Sequence, residues 1–295
     1  AGAAPPTAEG RWARARGLER QARYGQAAAV YERFQHLFPK DRRGPEALSR
    51  ALRVRRARWQ LRQAWRIVAR FRRAYGRAGA AALALSLRSV YEEGLPNERV
   101  IFYRRVLGIG GGSAVVMALA TAGLARAQWL QACPLLGRGD VRSGARAACF
   151  VYGPRRRLLD GRGRPSCWTP RSTGLGVVPR LDHGRRRALY TAARATVALR
   201  RALRAPTVAL GFEARREIQD ARAEMAFLRA EERFERYVAL ELPRAAPMRY
   251  PRRFRRKLAA KRRAEGAYKA VLRLHSPRWK ISAWTRLAQA SLHLQ

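Results

Sequence analysis

AAAVYERFQHLFP, residues 27–39, is the stretch on which the fold turns. Ala27, Tyr31 and Phe34 recur at the spacing of one helix face, and Pro39 stops the helix. The arrangement returns in RQAWRIVARFRRAYG (62–76) through Ala64, Val68, Phe71 and Gly76. It returns again in ERVIFYRRVLGIG (98–110) through Val100, Tyr103, Val106 and Gly110. Tyr31, Val68 and Tyr103 lie 37 and 35 residues apart, and so do Phe34, Phe71 and Val106. A period in the middle thirties is the signature of stacked helix pairs. A small residue near the start of the second helix allows close approach to the first. A large residue four positions on fills the groove, and Pro or Gly ends the pair.

Working outward, Glu46–Arg62 (Leu48, Ala51, Leu52, Trp59, Leu61) and Ala81–Tyr91 (Leu83, Leu85, Leu87) supply the intervening helices. Helical period also governs the second half, in Arg185–Leu203 and in Glu213–Leu242. The latter carries Ile218, Ala221, Met225, Leu228, Phe234, Tyr237 and Leu240, and it holds eight of the 20 acidic residues. It is expected to be the counter-charge for its neighbours. The closing segments, Phe254–Leu274 and Trp279–Leu294, repeat the motif: Ala264, Tyr268 and Val271 match Ala27, Tyr31 and Phe34, and Pro277 falls near the Pro39 position.

Residues 131–185 differ. Cys133-Pro134 opens a Gly-, Pro-, Arg- and Ser-rich stretch without helical period, read as an irregular insert. Cys133, Cys149 and Cys167 are separated by 16 and 18 residues, with no Cys-x-x-Cys, which argues against a zinc ribbon or thioredoxin-type site. Two readings stand: one disulfide stapling a segment with little core, which implies an oxidising compartment, or three reduced thiols. The expectation is therefore an all-α chain, an α-solenoid of stacked antiparallel helix pairs. An N-terminal array (1–130) and C-terminal helices (186–295) flank the Cys-containing insert.

On these residues the chain resembles tetratricopeptide repeat proteins, with at least two repeats between about residues 15 and 130. The match is degenerate, and Arg55 sits where the family usually has an aromatic residue. ARAQWLQACP (125–134), AEMAFLRAEERFERYVALELP (223–243) and AYKAVLRLHSPRWKISAWTRLAQ (267–289) resemble large tetratricopeptide proteins of the myxobacterial type. That resemblance implies a scaffold without catalysis or cofactor, and a bacterial periplasm or cell-envelope location, with the cytoplasm as the alternative. If Leu48 takes the family's fourth position, Arg53 and Arg56 project into a concave groove, where they favour an acidic peptide or helix of a partner protein.

The charge is extreme: 63 Lys+Arg against 20 Asp+Glu, a net +43. It predicts attraction to polyanions. Only five of the basic residues are lysine (Lys40, Lys257, Lys261, Lys269, Lys280), a bias read for the most part as that of a GC-rich genome, with selection for bidentate phosphate and carboxylate contacts as the alternative. Candidate polyanion-binding clusters are Arg155, Arg156 and Arg157 in the insert, and Arg252, Arg253, Arg255, Arg256, Lys257 and Lys261 near the C-terminus. The latter continues through Arg262 and Arg263, with Tyr250 and Phe254 interleaved; the bland alternative is a solvated helix face. Val106–Ala125 is uncharged over 20 residues, but its clustered Gly108, Gly110, Gly111 and Gly112 read as a helix stop and turn rather than a membrane span. GIGGGS (108–113) lacks the lysine and the strand–loop–helix setting of a phosphate-binding loop. His36, His183, His275 and His293 are scattered without metal-ligand spacing. Asp182-His183 reads as a solvated turn, and Glu92-Glu93 and Glu231-Glu232 as helix surface charge. No catalytic constellation and no metal site is expected.

Overall fold

A computed structural model describes residues 7–132, 183–204, 212–238, 240 and 250–292. The insert's three cysteines and Arg155–Arg157 lie outside the described residues. Among the described residues all regular structure is helical. The helices are α1 (Ala8–Arg20), α2 (Tyr24–Leu37), α3 (Gly44–Ala57), α4 (Leu61–Tyr75), α5 (Arg77–Leu85), α6 (Arg88–Tyr91), α7 (Pro96–Ile109), α8 (Ala114–Gln131), α9 (His183–Arg204), α10 (Phe212–Val238), α11 (Tyr250–Leu272) and α12 (Pro277–Leu292). The chain divides into two compact units, Ala1–Gly94 with Ile101–Met117, and Leu95–Val100 with Ala118–Gln295.

In the first unit successive helices pack on one another, α1 on α2, α2 on α3, α3 on α4 and α4 on α5. The buried face of α2 is Ala27, Ala28, Tyr31, Phe34 and Gln35. That of α4 is Ala64, Trp65, Ile67, Val68 and Phe71, the same register moved on by one period. Ala27, Tyr31, Phe34 and Ala64 are fully buried, so the motif residues read from the sequence are the core. Each large apolar side chain so buried contributes about 1.5–3 kcal/mol. The ends of α2 and α4 also correspond: Phe34 packs on Phe38 with ring centroids 5.4 Å apart, and Phe71 on Tyr75 at 5.0 Å.

The turns repeat as well. Ala22 and Trp59, 37 residues apart, are the two non-glycine residues at positive φ among the described residues, at 57° and 56°. In each turn the next amide reaches back five residues, Arg23 to the Leu18 carbonyl and Gln60 to the Arg55 carbonyl, both at 2.9 Å. Ala22 bonds back to Glu19 at 3.1 Å and Trp59 to Arg56 at 3.0 Å. This left-handed helix stop usually takes glycine. The α1–α2 and α3–α4 pairs are thus closed by the same hydrogen bonds.

One segment differs in detail from expectation. The helix expected over Ala81–Tyr91 starts earlier and is split into α5 and α6 by a turn at Ser86–Leu87, where the Ser86 hydroxyl bonds the Leu83 carbonyl at 2.7 Å. The uncharged Val106–Ala125 stretch is broken where its glycine cluster predicts, by Gly110 and Gly111 at φ 68° and 64°, into the end of α7 and the start of α8. No described helix is long and apolar enough to cross a membrane.

In the second unit α10 packs on α9, α11 and α12, and α11 packs on α12. Its core runs through Phe227, Phe234, Tyr237, Ala264, Tyr268, Val271, Trp279 and Ala283. Ala264, Tyr268 and Val271 are fully buried, as their match to Ala27, Tyr31 and Phe34 requires.

Candidate functional site

Both units contain the same polar node. In the first, Glu19 of α1 accepts the Tyr31 hydroxyl of α2 at 2.8 Å and the Arg50 guanidinium of α3 at 2.9 Å. The Arg50 guanidinium also lies 5.9 Å from the Trp12 ring of α1. In the second, Glu231 of α10 accepts the Tyr268 hydroxyl of α11 at 2.5 Å and a bidentate Arg286 of α12 at 2.8 and 2.9 Å. Arg286 lies 5.4 Å from the Phe234 ring of α10. Each node ties three consecutive helices through a carboxylate, a phenol and a guanidinium. The tyrosine is the aligned motif residue in both. Tyr103 extends the pattern by donating to Glu92 at 2.9 Å. Burial and the hydrogen bond to Glu19 push the Tyr31 phenol up to about 12, and burial beside Glu231 pushes Tyr268 well above its usual range.

The interior of the second unit carries further charge. Glu224, Glu231 and Glu235 share one face of α10 at i, i+7 and i+11. Glu224 bonds Arg126 at 3.4 Å, and Glu235 is paired with the fully buried Arg185, whose guanidinium stacks 4.9 Å from the Trp129 ring. Burial pushes the Glu235 carboxyl up to about 8, with the Arg185 cation pulling the other way. A displaced pKa is one mark of a reactive group. Here it belongs to a carboxyl enclosed between helices and bonded to its own counter-ion. The acidic helix is the internal counter-charge that its composition predicts.

The sequence-derived binding residues fall into three groups. Arg53 is exposed on α3. Arg56, its expected companion in the groove, is half-buried and donates to the Ser86 carbonyl at the end of α5 at 2.8 Å. The groove reading missed Arg55 and Arg58, which with Arg23, Tyr24 and Gly25 line a cleft of about 580 Å³ at the α1–α2 and α3–α4 turns. Arg55 is held there by Glu32 at 2.8 Å and Gln60 at 2.9 Å.

The α11 cluster is likewise sorted. Lys257 is buried, its ammonium 5.6 Å from the Tyr237 ring, and Lys261 pairs with Glu265 at 3.4 Å. Arg252, Arg253, Arg255, Arg256, Arg262 and Arg263 are exposed, without an acidic partner among the described residues. All but Arg253 fall within about 120° of helix arc and along about 16 Å of axis. The exposed Ala259 lies within this arginine stripe, and the exposed Gly266 continues the same face beyond Arg263. Arg255, Leu258, Ala259, Arg262 and Arg263 line a shallow trough of about 440 Å³. Among the described residues no three His, Cys, Asp or Glu side chains come together as metal ligands.

No protein-family model matches the chain, and neither the curated proteins nor the solved structures contain a detectable match to it.

Proposed function

We propose that the chain is a non-catalytic helical-repeat scaffold of the tetratricopeptide kind, an α-solenoid of antiparallel helix pairs that binds other proteins. The observation that carries this reading is the 37-residue recurrence of one helix–turn–helix, in which Ala22 and Trp59, Ala27 and Ala64, Tyr31 and Val68, and Phe34 and Phe71 take equivalent places. Such pairs present a continuous surface for an extended or helical ligand. The exposed Arg53 on one face of α3, and the cleft of Arg23, Arg55 and Arg58 at its C-terminal end, favour an acidic ligand. Binding of Asp/Glu-rich peptides, followed by fluorescence anisotropy at physiological salt, tests the reading. Peptide affinity should fall when Arg53 and Arg58 are changed to Glu. Equal affinity for the variant, or no binding of any acidic peptide, defeats it.

The arginine stripe on α11 favours a second reading, a helical-repeat protein that holds a nucleic acid or another polyanion. Replacing Arg252, Arg253, Arg255 and Arg256 by Gln should weaken RNA or DNA binding and flatten its salt dependence, because log K falls with log salt by about 0.7–0.9 per phosphate neutralised. Weak binding that the variant leaves unchanged sinks this reading. The resemblance to myxobacterial-type proteins supports a periplasmic or cell-envelope location, with the cytoplasm as the alternative. Mass spectrometry without reduction tests it, since three free thiols at Cys133, Cys149 and Cys167 remove the argument for an oxidising compartment.

A further inference from the structure

We propose that Arg200 and Arg204 of α9 and Arg222 of α10 form a binding site for a small, multiply charged oxyanion of the phosphate type. The three guanidinium-bearing side chains, with Leu203, line a cleft of about 310 Å³ between the two helices. Two of these cations have a local explanation. Arg204 lies in the last turn of α9, where the carbonyl end of the helix dipole favours positive charge, and Arg200 lies one turn earlier. Arg222 has none. It sits on another helix, half-buried, facing both of them.

Nothing on either helix neutralises the cluster. α9 contains no Asp or Glu at all. The neighbours of Arg222 one turn away on α10 are Ile218, Gln219, Met225 and Ala226. Asp220 is two residues off and points around the helix, away from Arg222. Four further carboxylates of this helix are engaged elsewhere, Glu224 with Arg126, Glu231 with Arg286, Glu232 with Arg236 and Glu235 with Arg185, and Arg222 pairs with no carboxylate of the described residues. Burial and the fields of Arg200 and Arg204 hold the Arg222 cation below its ordinary range. The pattern is the reverse of that at the buried Arg185 and Arg286 of the same unit, each of which has its carboxylate. Three planar donors converging on a water-accessible cleft supply the bidentate geometry that phosphate oxygens accept. An anion there also offsets the mutual repulsion of the three cations.

The test uses the full chain with sodium pyrophosphate, inorganic phosphate and, as the ionic-strength control, sodium chloride. Thermal unfolding and titration calorimetry are followed for the wild type, Arg222→Gln and Arg200→Gln. An Arg66→Gln variant, at an exposed position of α4 outside every arginine cluster, serves as the bystander. Pyrophosphate should raise the unfolding temperature of the wild type and of Arg66→Gln beyond the chloride control. Arg222→Gln should start from a higher unfolding temperature than wild type, because a repelled cation is gone. It should nevertheless bind pyrophosphate at least about tenfold more weakly, the loss of one charged hydrogen-bonding partner. Arg200 is exposed, so Arg200→Gln keeps the fold and should show the same weakening. Pyrophosphate stabilisation no larger than that by chloride overturns the site, as does full retention of binding in both arginine variants. Protection by a short RNA but not by pyrophosphate, lost in Arg222→Gln, assigns the phosphate to a nucleic-acid backbone and overturns the small-anion form of the proposal.

Discussion

Replacing Arg286 by Met keeps the aliphatic stem against Phe234 and deletes the guanidinium. Glu231 is then left fully buried, with the Tyr268 hydroxyl as its remaining donor from the node. Removing one partner of a buried ion pair costs about 3–5 kcal/mol, since the other charge stays desolvated. The equivalent change in the first unit, Arg50→Met, has a different environment. The Glu19 side chain is 26% exposed and that of Arg50 20%, so water screens the loss. There the cost should be about 1 kcal/mol or less. One motif thus gives two magnitudes, and burial alone separates them. Changing both partners, Glu231→Leu with Arg286→Met, should recover most of the loss, because no charge is left buried. Urea unfolding followed by far-UV circular dichroism measures all of these. Equal costs for the two methionine variants, or no recovery in the double variant, would refute the assignment of Glu231 as the buried hub of its node.

Ala22→Gly should stabilise the first unit by about 0.5–1 kcal/mol, since glycine alone takes the left-handed turn without strain; a lower urea midpoint would contradict this. Trp59→Gly, at the equivalent turn and 60% exposed, should behave alike. Gly79→Ala should cost about 1–3 kcal/mol by overpacking, because its new methyl would meet the Phe71 ring 2.6 Å away, and unchanged stability would show that α5 shifts freely. The Glu235 carboxyl, raised from 4.5 to about 8, gives stability that is present below pH 4.5 and lost as pH rises through 8. Wild-type thermal stability should therefore decline across that window, and Glu235→Gln should flatten the decline.

Much of the core was legible because helix periodicity is a local signal. Ala27, Tyr31 and Phe34 announce one face within eight residues, and the same face reappears at Ala264, Tyr268 and Val271. The polar nodes were not legible. Glu231 and Tyr268 are 37 residues apart and Arg286 a further 18, and no periodicity marks such a set. Glu231-Glu232 read as helix surface charge, yet Glu231 is fully buried and Glu232 is not. The matched turns escaped notice because their usual signal is glycine, and Ala22 and Trp59 carry none. Lys257 was legible in retrospect. It lies in register with Ala260, Ala264, Tyr268 and Val271, so the helix rotates it inward with them. Arg56 was assigned to the groove from family register alone, and the Ser86 carbonyl that engages it belongs to a turn inside an expected continuous helix.

The basic excess is not one feature with one cause. Arg286 grips Glu231 with two nitrogens while lying against Phe234, and Arg185 lies on Trp129 beside Glu235. A lysine ammonium does neither at once, so these positions require arginine for the fold itself. Genome composition explains a solvated arginine such as Arg53 or Arg66 equally well, since nothing around it distinguishes guanidinium from ammonium. The α11 stripe and the Arg200–Arg204–Arg222 cluster form a third class. There, like charges are held together at an energetic cost that no internal carboxylate offsets. A mutational drift towards arginine scatters charge without regard to that cost. Convergence of uncompensated charge on one helix face, and on one cleft, is what a polyanionic ligand would select. Total charge is therefore a poor guide to the partner, and the two uncompensated clusters are the informative places to measure binding.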